Sequence, residues 1–380
     1  MRTKTTALVL GVLVAVLPPA SGEAAQRGRL QVKLGQSIQA AIDAAGPGTT
    51  IEVAAGTYHE NLLIAKDGIT LEGAGAGVTI LKPPAAPVPV CFVLQITPVD
   101  IEATGANGIC VAKLKPDGSI RETVHDVRVT GFTVQDFPGV GIVFAGASGI
   151  RADHNVAANN SIYGITAFAS THGLFEHNTV FGTADAGLYM GDSPHADFTI
   201  RDNTAHDDLW GILVRDASGG QITDNTLHDS CSGLVFLNSG TGTTGVQDWV
   251  ATDNTVTHNN NFCPGDMTLL PFNLTGVGIL IGGGRHIVLR DNMVRGNQPS
   301  GPTTTLNGVV LAGGIVVVST ANVSIFPGLF GSAASNNTIV DNTARNNLPF
   351  DLAYDKLGSE NRFVSNECRT STPAGLCRDD

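Results

Sequence analysis

The sequence predicts an all-β fold, a right-handed parallel β-helix solenoid of roughly 10–12 coils with a short N-terminal capping helix. Three observations predict it. An Asn-centred pattern returns every 22–25 residues through much of the chain, and apolar residues alternate on either side of it. The 46 glycines and only 15% charged residues suit many tight turns stacked on an apolar interior.

The opening residues read as a secretion signal. Arg2 and Lys4 precede an apolar run from Ala7 to Leu17, Pro18-Pro19 breaks it, and Gly22-Glu23-Ala24 offers small residues for cleavage after Ala24. A membrane helix needs about twenty apolar residues, more than this run supplies, and nothing later reads as a span. Residues 25–380 are therefore expected as one secreted domain, since a solenoid lengthens along one axis without dividing. Residues 36–46 read as the cap: Ile38 and Ile42 lie four apart among alanines, and Gly46-Pro47-Gly48 ends the helix. Ile51–Tyr58 and Gly68–Gly73 follow as the first rungs, Pro83–Pro89 as an excursion, and Ala106–Ser119 as a loop.

The repeat itself is clearest in Phe198-Thr-Ile-Arg-Asp-Asn203-Thr and Gln221-Ile-Thr-Asp-Asn225-Thr, each followed by a polar turn, a Gly (211 and 233) and an apolar strand. The equivalent positions are Gly131, Asn155, Asn178, Asn203, Asn225, Asn254, Asn292, Asn342 and Asn366, separated by 24, 23, 25, 22, 29, 38, 50 and 24 residues. Strand alternation sends every second residue inward, so Ile200 stacks on Ile222 and Ile212 on Leu234. An Asn at each bend tolerates left-handed geometry, and its amide bonds the Asn one coil away, ~4.8 Å distant. The long intervals mark loop insertions over 259–275 and 298–335, which in solenoids often build a binding face. Leucine-rich repeats share the period, but their framework is missing.

Six cysteines in a secreted chain suggest three disulfides. The local pairing is Cys91–Cys110, Cys231–Cys263 and Cys368–Cys377. The net charge of −12 disfavours nucleic acid and anionic membrane as partners. It also asks a polyanionic ligand to find a local basic site or a bridging cation. A monomer is expected.

Pro47-Gly-Thr-Thr-Ile-Glu-Val-Ala-Ala-Gly-Thr-Tyr58-His-Glu-Asn61 resembles the opening of the pectin-lyase-like superfamily. Gly187-Leu-Tyr-Met-Gly-Asp-Ser193 and the Asp-Asn-Thr repeats resemble β-helix repeat proteins of the nitrous-oxide-reductase maturation type. The likeness covers essentially the whole mature chain. It implies the fold more than the activity, because the fold hosts lyases, hydrolases, epimerases and non-enzymes.

Polar groups concentrate between Ala184 and Asn238. Counting from each Gly puts Tyr189 and Arg215 outward and stacks Asp192, Asp216 and Asn238. Counting from each Asn stacks His206 on His228 and Asp207 on Asp229, with Trp210 nearby. Tyr189, Asp192, His195, Arg215 and Asp216 form the candidate catalytic set of a uronate lyase or epimerase, which neutralises a carboxylate and removes the neighbouring proton. Arg215 would clamp the carboxylate, His195 act as base and Tyr189 as acid. Tyr189-Met-Gly-Asp192-Ser-Pro-His195 is similar to the Tyr-x-x-Asp-Pro-His motif of mannuronan epimerases, with one residue inserted before the Pro. Trp210, His206, Asp207 and His228 are the candidate substrate-binding residues. The sequence specifies no cofactor, although Asp192 with Asp216 offers oxygen ligands for Ca²⁺ held between coils. A glycoside hydrolase would draw its carboxylate pair from Asp185, Asp192, Asp207, Asp208 and Asp216. The plain alternative is turn chemistry, in which Asp, Asn, Ser and Gly fill bends without any ligand. The expected partner is a polysaccharide or cell-wall glycan, met by an enzyme or by a non-catalytic glycan-binding surface protein. A metal-insertion accessory role rests on the repeat resemblance alone.

Overall fold

A computed structural model describes residues 28–87, 106–242, 244–265, 271–326 and 328–378. The expected signal sequence, Cys91 and the end of the Pro83–Pro89 excursion lie outside them. Three long parallel sheets wind around one axis, visited in turn by each coil. Sheet 1 begins with Arg29–Val32 and Thr50–Val53, sheet 2 with Gly56–His59, and sheet 3 with Leu62–Ile64. Register is continuous from coil to coil. Ile142, Ile165, Leu188, Ile212, Leu234, Ile279 and Ile315 follow one another along sheet 3, all fully buried in the interior. The predicted β-helix is thus the architecture.

The N-terminal end is closed by the helix Ile38–Ala44, whose Ile38 and Ile42 are buried and whose N-cap Ser37 accepts a bond from the Ala40 amide. The ladder runs as the repeat requires. Asn178 Nδ2 donates to Asn203 Oδ1 at 3.0 Å, Asn203 to Asn225 at 3.0 Å, and Asn225 to Asn254 at 2.9 Å. Each amide also reaches a strand carbonyl, as Asn203 does to Phe175 O at 2.9 Å, so the polar groups buried at this corner are paired.

Several details differ from the reading of the sequence. The left-handed residue is the one before each Asn: Asp202, Asp224, Asp253 and Asp291 have φ of 53–58°. Asn155 stands opposite Phe132, whose amide it receives, so Gly131 (φ 75°) belongs to that preceding position. Ala106–Ser119 is no simple loop, since Ile109–Val111 is a full strand of sheet 3 and a hairpin follows. The 298–335 interval is two insertions flanking an ordinary sheet 3 strand, Gly313–Val318. Each insertion carries a hairpin: Thr305–Leu306 with Val309–Val310, and Ser324–Phe326 with Leu329–Phe330.

The inserted segments cover sheet 3. Its outward residues Val143, Leu213, Val235, Leu280 and Val316 are apolar and buried, with Phe272, Leu306 and Leu329 packed against them. Sheet 3 is therefore apolar on both faces, as a covered parallel sheet must be. Cys231–Cys263 fastens the first insertion and Cys368–Cys377 closes the last coil. Cys110 is also disulfide-bonded. Among the described residues no helix is long and apolar enough to cross a membrane.

Candidate functional site

The polar residues of sheet 3 interrupt this apolar cover at one place. Tyr189 and Arg215 come from adjacent strands, Ala186–Gly191 and Trp210–Arg215, where Gly191 pairs with Arg215. Alternation turns both side chains away from the interior, as counted. Gly191 has no side chain, so the Tyr189 ring folds across it, and the Arg215 guanidinium lies over that ring, 5.4 Å from its centre. Arg215 Nη2 donates to Asp192 Oδ2 at 3.3 Å. Tyr163, one coil earlier, stacks on Tyr189 with ring centres 4.8 Å apart, and Phe168 meets the same ring edge-on at 5.0 Å.

The cluster is buried. Tyr189 is 0% and Arg215 7% exposed, while the Asp192 side chain, at 16%, is where solvent reaches it. Burial works against the Arg215 charge, but Tyr189, Asp192 and Tyr163 around it outweigh that and raise its pKa. Burial, against the pull of Arg215, lifts both phenols well above their ordinary value, so each keeps its proton. Burial also raises Asp192, with Asp216 adding to the effect. Beside Tyr163, burial pushes Asp185 up to about 7. Asp185 Oδ1 and Trp210 Nε1 are buried with no hydrogen-bond partner among the described residues, a costly arrangement where no ligand or water meets them, while the Tyr189 hydroxyl faces the Asp192 carboxylate.

The other predicted residues separate. Asp216 stacks beyond Asp192 but serves a turn, accepting from the Ser239 amide at 3.1 Å, from the Ser239 hydroxyl, and from Thr241 Oγ1 at 2.6 Å. Asp192 is engaged by Arg215 instead, and among the described residues no three His, Cys, Asp or Glu side chains converge on a metal position. His195 is not in the cluster. The chain turns left-handed at Asp192 (φ 50°), Ser193 is buried, and His195 lies exposed on the bend into sheet 1. There it lines an open groove of about 540 Å³.

Trp210 is buried beneath the insertions, beside a cavity of only about 30 Å³ lined by Val235, Leu237, Leu274 and Ile325. It is packed, not offered to solvent. His206 and His228 belong to sheet 2, on another side of the solenoid, and stack with ring centres 5.0 Å apart. Phe181 continues the column 4.9 Å from His206. Asp207 and Asp229 hold the Nδ1 atoms at 2.7 and 2.8 Å. Parallel imidazoles cannot converge on one ion, so this column is a stack at the ends of sheet 2 strands. Reading the sequence missed Tyr163, although it precedes a Gly-apolar strand as Trp210 does.

The family model described as "Right handed beta helix region" matches residues 93–262. Comparison with curated proteins gives no match. Among solved structures, the A-module of mannuronan C-5 epimerase AlgE4 from Azotobacter vinelandii is similar, with a TM-score of 0.56, 17% identity, and coverage of 87% of this chain and 90% of that one. DFA-IIIase from Arthrobacter chlorophenolicus A6, without its lid, gives a TM-score of 0.51 at 14% identity, covering 90% and 91%. Alginate lyase from Paenibacillus sp. str. FPU-7 gives 0.50 at 14%, covering 91% and 96%. At these identities the likeness is one of fold.

Proposed function

We propose that this chain is a carbohydrate-active β-helix protein working outside the cytoplasm, a lyase or epimerase on a uronate-containing polysaccharide. The observation that carries the reading is the cation of Arg215 set over Tyr189 and bonded to Asp192, on the outer side of the solenoid wall. The resemblance of Tyr189-Met-Gly-Asp192-Ser-Pro-His195 to mannuronan epimerases supports it, as do similar folds in proteins whose names specify alginate chemistry. Arg215 would bind the uronate carboxylate and stabilise the negative charge that develops when C5 loses its proton. With His195 on the bend, Asp192 replaces it as the base, its raised pKa making it a stronger acceptor than an ordinary carboxylate. Tyr189, protonated, is the donor. In a lyase it gives its proton to O4 as the C4–O4 bond breaks and the C4–C5 double bond forms. In an epimerase it returns a proton to C5 from the opposite face.

The burial of Tyr189 favours a second reading, in which the cluster is structural and the protein binds glycan without turning it over. A panel of uronate polymers separates the two, followed by ultraviolet absorbance for unsaturated ends and by NMR for inverted C5 centres. The enzyme reading expects turnover in wild type and loss of at least about a hundredfold in Arg215→Ala. No turnover on any uronate polymer would leave only binding.

A further inference from the structure

One face of the bend between sheets 3 and 1 carries a column of left-handed residues, one per coil. Five consecutive members are His172 (φ 53°), Asp197 (φ 42°), Gly219 (φ 85°), Asp248 (φ 60°) and His286 (φ 53°). The strands beside them fix the alignment, since Phe198 pairs with Gly220 and Gly220 with Trp249. The order is therefore histidine, aspartate, gap, aspartate, histidine. Each carboxylate is backed by the imidazole beyond it: His172 Nε2 lies 3.6 Å from Asp197 Oδ2, and His286 Nδ1 3.2 Å from Asp248 Oδ1. The gap is open space. A methyl group at Gly219 would meet nothing nearer than the Asp197 amide at 3.9 Å, whereas at Gly149, in the same column, it would strike Asp126 at 2.4 Å. Here lies the groove of about 540 Å³ whose rim includes His195, within the size range of small-molecule sites.

We infer that this groove is a saccharide-binding site separate from the Arg215 cluster, and that it takes an amino sugar. Asp197 and Asp248 stand two rungs apart, ~9.6 Å along the stack, too far to share one metal ion, whose oxygen ligands sit about 2.5 Å away. That span fits a pyranose ring with a hydrogen bond on either side. Both walls are carboxylates, which accept from hydroxyls and favour an ammonium group while repelling a uronate. The groove thus selects against the ligand class proposed for sheet 3.

The test is calorimetry of the full chain with three hexamers: glucosamine, mannose and mannuronate. The glucosamine oligomer is expected to bind most tightly and the mannuronate oligomer least. Gly219→Asn fills the gap with a residue type that already holds this column at Asn336 (φ 59°); at the more open φ of 85° here it should lower the melting temperature only modestly, leaving the fold intact. It should keep any turnover on uronate polymers, yet weaken glucosamine binding by at least about tenfold, as should Asp197→Ala or Asp248→Ala. Absence of glucosamine binding, equal binding by Gly219→Asn, or preference for mannose or mannuronate would overturn the inference. Because turnover is read separately, failure here leaves the sheet 3 reading standing, and the reverse.

Discussion

Asp208→Asn should stabilise the protein, and by more as pH rises. A second polar ladder runs along the bend between sheets 2 and 3, where Asn259 and Asn297 donate to strand carbonyls at 3.3 and 3.2 Å, as does Asn160 at 3.1 Å. Asp208 occupies a rung of it. Its Oδ1 accepts from the Thr183 amide at 2.9 Å and the Thr183 hydroxyl at 2.7 Å. Its Oδ2, where Asn carries an amide donor, is buried without a partner among the described residues. Burial, only partly offset by Thr183, pushes this carboxyl up to about 8 from an ordinary 3.8. A folded pKa above the unfolded one means that stability is fully present below about pH 4 and lost as pH rises through 8. At about 1.4 kcal/mol per unit, ~3 units separate the unfolded pKa from neutrality, so the loss by pH 7 is of order 4 kcal/mol. Asn supplies the missing donor at every pH. Chemical denaturation of both proteins at pH 5, 7 and 9 should show a variant advantage growing by several kcal/mol across the series. A constant difference, or a less stable variant at pH 9, would mean that Asp208 carries no buried-charge penalty.

Other perturbations follow from the same geometry. Asn203→Leu removes the bonds to Phe175 O and Asn225 Oδ1 and strips the Asn178 amide of its acceptor, so a cost of about 3–5 kcal/mol is expected in urea titrations; a loss under about 1 kcal/mol would mean that the ladder is replaceable. Reducing Cys231–Cys263, which spans 32 residues, should cost about 3–4 kcal/mol and open the first insertion to protease, and unchanged cleavage would contradict its role as a fastening. Asp153 is buried, yet bonds from Arg128, His154 and Thr130 hold it down to about 2. Its contribution is therefore present above about pH 4 and lost as pH falls through 2. Discounted for arginines about 40% exposed, Asp153→Asn should cost about 1–2 kcal/mol at pH 7 and nothing near pH 2.

The fold was legible because a parallel ladder repeats its demands. An Asn that must bond its own kind one coil away recurs at coil length, and counting from it correctly stacked His206 on His228 and Asp207 on Asp229. Counting failed where the chain leaves regular alternation. Past Asp192 the left-handed turn re-aims the backbone, so His195 points into the sheet 1 groove instead of toward Tyr189. The buried state of Tyr189 and Arg215 also escaped a strand-by-strand reading, which equates outward with exposed. A signal was present, since Ile212-Leu-Val214 and Leu234-Val-Phe236 are apolar on both parities and call for cover on both faces. The strand Gly313–Val318 was hidden inside a long interval because its coil carries insertions on both sides, which stretches the spacing to 50 residues.

The sheet 3 site is tested most directly by incubating the protein with a uronate polymer in D₂O and reading hydrogen at C5 by NMR. Proton removal by Asp192 beneath the Arg215 charge predicts deuterium at C5, or loss of that centre to a double bond, with neither seen in Asp192→Asn. C5 protons that survive unchanged in mannuronate, guluronate and galacturonate polymers alike would contradict the account.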